Sequence, residues 1–171
     1  MSQLLDNILS RSNMLDAYNQ VRANKGSAGI DGITIDEIDD YLRKHWRSTK
    51  ELIKQRKYKP QPVLRVEIPK PNGGVRQLGI PTVMDRMIQL PVVQVISPIC
   101  EPYFSEKSYG FRPNRSCEQA VIQLLEYLND GYEWIVDIDL EKFFDTVPQD
   151  RLMSLVHNII QDGDTESLIR K

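Results

Sequence analysis

The chain has 171 residues, 40% of them hydrophobic, with 22 Lys and Arg against 24 Asp and Glu for a formal net charge of −2. That is enough apolar material for one buried core, with at most part of a second domain, and the balanced charge excludes a uniformly basic or acidic protein. No stretch is long and apolar enough to cross a bilayer, and Cys100 and Cys117, far apart and without metal-ligand spacing, predict a reducing, cytoplasmic setting with no membrane partner.

In chain order, Leu4, Leu5, Ile8, Leu9, Met14, Leu15, Tyr18 and Val21 recur with the helical period and predict an opening helix. NKGSAGIDG, residues 24–32, interrupts that period with three glycines and reads as an ordered loop. Thr34 and Glu37 form a capping-box pattern for a second helix, with Ile35, Ile38, Leu42 and Trp46 on one side. From Arg43 to Arg76 eleven basic residues crowd a stretch whose only acids are Glu51 and Glu67. Such a block on an otherwise acidic chain suits a polyanion such as nucleic acid, although a solvated helix face explains the part up to Lys59 equally well.

Pro60 and Pro62 close the helical territory. VLRVEIPKPNGGVRQLGIP then predicts two strands around an Asn72-Gly73 turn, with Leu64, Val66 and Ile68 facing inward and Arg65 and Glu67 on the other face. Thr82 and Asp85 open a further helix, in which Pro91 predicts a kink. Ser116 and Gln119 cap the next one, with Val121, Leu124, Leu125 and Leu128 inward. Residues 132–140 read as a strand, and PQDRLMSLVHNII as a last helix with Pro148 in its first turn. A strand so late in the chain needs neighbours to pair its backbone groups.

The stretch VDIDLEKFFD (136–145) places Asp137 and Asp139 on one face of that strand, opposite Val136, Ile138 and Leu140. Two carboxylates projecting together suit a hard divalent cation. Spacing alone does not separate Asp137 from Asp139, and Asp145 is accounted for as a cap or turn residue.

DLEKFFD (139–145) resembles motif A of reverse transcriptases in the form found in group II intron-encoded proteins. IPKPNGGVRQLGIPTVMDRMIQ resembles the fingers motif of that family, FSEKSYGFRPNRSCEQA its next block, and NKGSAGIDG its N-terminal extension loop. The four blocks stand in family order over nearly the whole chain. The resemblance implies an α+β fold: mostly helical fingers with a β-hairpin, plus the first strand and helix of a polymerase palm, an incomplete ferredoxin-like sheet. It divides the chain into an extension helix and template-binding loop (1–33), fingers (34–131) and the start of a palm (132–171).

Carried over position by position, the resemblance selects Asp139 as the catalytic aspartate, binding Mg2+ together with the backbone carbonyl of Leu140. Asp137 becomes a neighbour on the same face. Phe144 matches the ring that packs under the sugar of an incoming deoxynucleotide and excludes a 2′-hydroxyl. Lys70 and Arg76 match triphosphate contacts, joined by Arg65 and Arg112 as nucleotide-binding candidates; Arg112 has the alternative of pinning its own loop. Leu64 departs from a basic pair that many relatives carry at 64 and 65. Asn24, Lys25, Gly26, Ala28 and Gly29, with Arg86, are the template candidates, and a plain helix connector is the alternative for the loop. His45 and His157 are read as structural.

The implied partners are template (intron) RNA, a DNA primer and a deoxynucleotide. A Tyr-x-Asp-Asp block, which supplies the remaining catalytic carboxylates in this family, does not occur in the 171 residues. The expectation is therefore the N-terminal part of a polymerase, inactive alone, whose unpaired strand promotes homodimerisation. A non-catalytic RNA-binding module is the competing reading. An unrelated aspartate-dependent phosphatase leaves the hairpin and the glycine loop unexplained.

Overall fold

Serine hydroxyls decide where the first helices begin. In the computed structural model, which describes residues 2–71 and 73–171, Ser2 accepts the backbone N–H of Leu5 and opens α1 (Gln3–Ile8). Ser10 accepts that of Asn13 and opens α2 (Arg11–Ala23). The single expected opening helix is therefore two, because the Ser10 side chain offers the backbone a partner outside the helical ladder. Helix α3 (Ile38–Lys54) starts later than expected. Glu37 accepts both the N–H and the hydroxyl of Thr34, at 3.0 and 2.8 Å, so half of the capping box forms around a turn at 35–37. Those two bonds hold the Glu37 carboxyl below the usual carboxylate range.

Strands β1 (Leu64–Pro69) and β2 (Val75–Ile80) form an antiparallel hairpin in which Val66 faces Leu78 and Ile68 faces Arg76. The predicted Asn72-Gly73 turn is closed by Lys70 and Gly74, whose N–H and carbonyl meet at 3.1 Å, while Asn72 itself lies outside the described residues. Contrary to expectation, Leu64 and Ile68 are exposed and Val66 is only half-buried, and Leu78 opposite is exposed too; the hairpin stands away from the core with both faces largely exposed.

Helix α4 (Val83–Cys100) runs as one element through Pro91 and Pro98, and Asn13 donates its amide to the carbonyls of Ile8 and Pro91 at the crossing. It is the wall shared by two core clusters. Its Met84 and Ile88 pack with Leu5, Ile8, Leu9 and Ile53; its Val83 and Met87 pack with Val21 and Ile38. These are two neighbouring i, i+4 rows on one helix, which is how α4 serves both α1 and α2. Each such side chain contributes about 1.5–3 kcal/mol when fully buried.

After a short 3-10 turn (Glu101–Tyr103) come α5 (Cys117–Asn129), the one-turn α6 (Phe143–Thr146), α7 (Gln149–Ile160) and α8 (Gly163–Ile169). The capping box at Ser116 and Gln119 is present as expected. The apolar stripe it introduces is not inward: Val121, Leu124, Leu125 and Leu128 are all exposed. Residues 132–140 form no regular element and join no sheet, and Trp134 (92% exposed) and Val136 (81%) stand in solvent. A ladder needs a second strand, and none of the described residues supplies one. Asp145 sits inside α6 and is not a cap.

Helix α8, absent from the sequence expectation, returns to the N-terminus. Asp164 accepts the Ser2 N–H at 2.9 Å and pairs with Arg56 at 2.7 Å, while Leu168 packs on the first core cluster. The Arg56 guanidinium, followed by the Ser2 N–H, draws the Asp164 carboxyl below its usual range.

Candidate nucleic-acid and nucleotide site

Loop 24–32 is the most fully built of the candidate regions. Lys25 and Gly32 adopt left-handed backbone (φ 45° and 70°), which turns the chain sharply at both ends of the loop. Gly32 N–H returns to the carbonyl of Gly29 at 3.1 Å, and the Asp31 side chain accepts the Ile33 N–H at 3.2 Å. Gly29 lies so close to the start of α4 that a Cβ would come within 2.6 Å of Thr82 Cα, so only glycine fits. Arg86, one turn into α4, donates to the carbonyl of Ser27. Lys25, Gly26, Ser27 and Ala28 then line an open cleft of about 510 Å³ together with Arg22 and Thr34. At its edge Arg22 is tied to Asp39 at 3.0 Å and to the Tyr18 hydroxyl, which draws the guanidinium further into its charged form.

The hairpin carries the second group of candidates. Directly paired residues share a face, so Arg76 lies beside Ile68 on the face of Leu64 and Val66, while Arg65, opposite Gly79, lies on the other. Lys70 is exposed at the start of the turn. Arg65 and Arg76 are thus both exposed yet point to opposite sides of the ribbon, and one ligand on one face meets Arg76 but not Arg65.

Asp137, Asp139 and Leu140 lie on the unpaired segment 132–140, and Phe144 in the one-turn helix after it. Lys142 has a left-handed backbone (φ 51°) and opens α6, where Phe143 and Phe144 meet edge to face with centroids 5.5 Å apart. Phe144 is 89% exposed, a ring presented to solvent and not part of the core. No hydrogen bond or ion pair among the described residues joins Asp139 to the hairpin or to loop 24–32. The donors at Asp139 and Leu140 are hard oxygens, as magnesium prefers. Among the described residues no three His, Cys, Asp or Glu gather into a metal-binding cluster, so the fit is one of kind and not of number.

Arg112 is engaged elsewhere. Its Nε and Nη2 donate to Glu101 Oε1 at 3.0 and 2.7 Å, its Nη1 to the carbonyls of Ser105 and Ser108, and its guanidinium stacks 5.5 Å from the Phe104 ring centroid. With four of five N–H donors taken and the side chain 8% exposed, it fastens the loop between α4 and α5. His157 meets both Glu166 oxygens at 3.0 Å and ties α7 to α8, a structural role in keeping with expectation.

One buried network was not foreseen. Asp85, 3% exposed, accepts from the hydroxyls of Tyr58 and Thr82 and from the N–H of Gln61, and its own N–H caps on Thr82. The Thr82-to-Asp85 spacing announced a helix start; nothing in it announced Tyr58. The network fixes where β2 enters α4 and therefore where the hairpin leaves the body.

The reverse transcriptase (RNA-dependent DNA polymerase) family model matches residues 68–170, a stretch that includes most of the hairpin, α4 and the Asp139–Phe144 segment. The group II intron-encoded protein LtrA of Lactococcus lactis subsp. cremoris is 36% identical over 156 residues, covering 91% of this chain and 26% of that protein. A COX1/OXI3 intron 2 protein of Saccharomyces cerevisiae is 36% identical over 161 residues, 92% of this chain and 18% of its own length. Protein YkfC of Escherichia coli is 35% identical over 147 residues, 84% and 39% respectively. The chain thus spans well under half of these relatives. No helix among the described residues is long and apolar enough to cross a membrane. With a matched family model over most of its length and intron-encoded relatives along nearly all of it, the chain belongs to the reverse transcriptase (RNA-dependent DNA polymerase) family, among its group II intron-encoded reverse transcriptase/maturase members.

Proposed function

We propose that these residues are the fingers and the beginning of the palm of an RNA-directed DNA polymerase acting on intron RNA. In this role loop 24–32 grips the template strand, and the hairpin and the Asp139–Phe144 segment receive the incoming deoxynucleotide at the primer end. The observation that supports this is the family match over residues 68–170, a range that includes Lys70, Arg76, Asp139 and Phe144. Lys70 supplies a point charge and Arg76 a planar fork, a combination suited to a polyphosphate. Phe144 stands free to lie under a sugar, where its bulk disfavours a 2′-hydroxyl. Asp139 and the Leu140 carbonyl would hold magnesium, which, when bound, neutralises charge on the phosphates.

The test is deoxynucleoside triphosphate binding to the purified chain by calorimetry, with and without magnesium. Magnesium-dependent binding that falls at least about tenfold in Asp139→Ala is the expected result, a single phosphate-bridging metal contact being worth over about 1.4 kcal/mol. The exposed Lys44 and Arg47 on α3 favour a second reading, a non-catalytic RNA-binding module. In that case RNA binding ignores Asp139→Ala and disappears when the basic residues of 43–59 are neutralised.

The same proposal includes self-association. The uncovered stripe of α5 and the unpaired segment 132–140 together expose Val121, Leu125, Trp134 and Val136, large apolar side chains of the kind that association covers. Sedimentation velocity at rising concentration is expected to show a growing dimer fraction that Trp134→Ser reduces. A sharp monomer boundary throughout the range would count against it.

A further inference from the structure

Arg86 was a candidate for touching RNA itself, yet its surroundings are those of a part already in use. Nη2 donates to the Ser27 carbonyl. Nη1 fills the space beside Gly26, where a Cβ would overlap it. Nε is buried and has no partner among the described residues. Three residues later along the loop, Gly29 lies against the backbone of Thr82, where a Cβ would reach Thr82 N at 2.7 Å. The loop therefore touches α4 at two places one helical turn apart, Thr82 and Arg86, and at both the contact depends on a glycine.

A loop of nine residues that must be ordered before it can hold a strand loses binding energy to that ordering, about 1–2 kcal/mol for each backbone residue fixed. A side chain that orders it beforehand raises affinity without touching the ligand. We propose that Arg86 is a positioning residue for RNA binding: lodged against Gly26 and bonded to Ser27, it latches loop 24–32 onto α4 so that the backbone of Gly26, Ser27 and Ala28 is already shaped for a strand. This rests on the assignment of loop 24–32 to the template grip.

A phosphate contact and a latch differ in salt dependence. Each phosphate neutralised on a single strand adds about 0.7 to the slope of log affinity against log salt, whereas an ordering residue adds nothing to it. Binding of a fluorescent single-stranded RNA to the full chain is measured by anisotropy over a range of salt, for wild type, Arg86→Ala, Arg86→Lys, Gly26→Ala, the double variant Gly26→Ala with Arg86→Ala, and Ala28→Glu. Gly26 has no left-handed backbone, so alanine there disturbs the guanidinium and not the fold of the loop.

The latch requires roughly tenfold weaker binding in Arg86→Ala with the slope unchanged. It requires a similar loss in Gly26→Ala, and no further loss in the double variant, because the two changes break one contact. Arg86→Lys keeps the charge but not the planar fork and is expected to lose affinity as well; it stands in should Arg86→Ala melt at a much lower temperature. A slope reduced by about 0.7 in Arg86→Ala and retained in Arg86→Lys would make Arg86 a phosphate contact and overturn the latch. Additive losses in the double variant would overturn it too. If Ala28→Glu leaves RNA affinity untouched, the template-grip assignment itself fails, and the latch falls with it for that separate reason.

Discussion

Replacing Asp85 by alanine is expected to cost about 3–5 kcal/mol of folding stability, a large share of what a domain of this size possesses. The carboxylate is buried under the start of α4 and is the acceptor for three donors, the hydroxyls of Tyr58 and Thr82 and the backbone N–H of Gln61. Alanine leaves all three without a partner, and each buried orphan costs about 1–3 kcal/mol. Thr82 is fully enclosed and takes the full penalty, while Tyr58 and Gln61 recover part of theirs from water. Asparagine keeps one acceptor oxygen and should lose about half as much.

Tyr58 gives the same network a pH dependence. Burial above all, and then the bond to Asp85, raise its hydroxyl well above the ordinary value near 10. A group whose folded value is raised contributes stability that is whole below the unfolded value, and that is lost as pH rises past it. Stability should therefore be flat up to about pH 10 and fall above it, and Tyr58→Phe should flatten the fall. Urea denaturation at about pH 8 and about pH 11 measures both effects. An Asp85→Ala unfolding free energy within about 1 kcal/mol of wild type would show that the network is ornamental.

How much of this was legible beforehand depended on whether the signal was local. Helix starts with a hydroxyl cap (Thr82, Ser116) and the hairpin with its strict alternation stand where the sequence put them, because their determinants lie within a few residues. Periodicity named the helix at 117–129 but not which side is covered, since an apolar stripe records a need for a partner and not the partner's presence. Alternation in 132–140 likewise spelled a strand, and without a neighbour the segment stays unpaired.

Helix α8 was illegible for the opposite reason. Seven residues with only Leu168 and Ile169 apolar carry too little pattern, and Ser2 and Arg56, more than a hundred residues away, hold the helix in place. The candidate site divides the same way. Motif blocks named Lys70, Arg76, Asp139 and Phe144, whereas the bond from Arg86 to Ser27 and the fork of Arg112 on Glu101 join residues that no short-range rule connects.

The 171-residue chain alone is expected to give no primer extension on an RNA template, whatever it binds. Two-metal phosphoryl transfer holds its ions about 3.5–4 Å apart, one to activate the attacking hydroxyl and one to neutralise the leaving group. Holding two divalent cations that close requires several carboxylates to offset their mutual repulsion. This chain brings Asp139, with Asp137 beside it in sequence, and among the described residues no cluster of three acids or other ligands gathers anywhere. In the proposed site Phe144 and the Lys70–Arg76 hairpin would orient a nucleotide, but orientation without the second ion leaves the attacking oxygen protonated. Mixing the chain with a separate polypeptide carrying a Tyr-x-Asp-Asp turn should therefore be the condition that restores synthesis, and Asp139→Ala should abolish that restored activity. Deoxynucleotide incorporation by the purified chain at a rate well above that of a no-protein control, and sensitive to Asp139→Ala, would mean that Asp139 and Asp137 suffice to hold both ions, and the two-metal requirement would have to be abandoned for this protein.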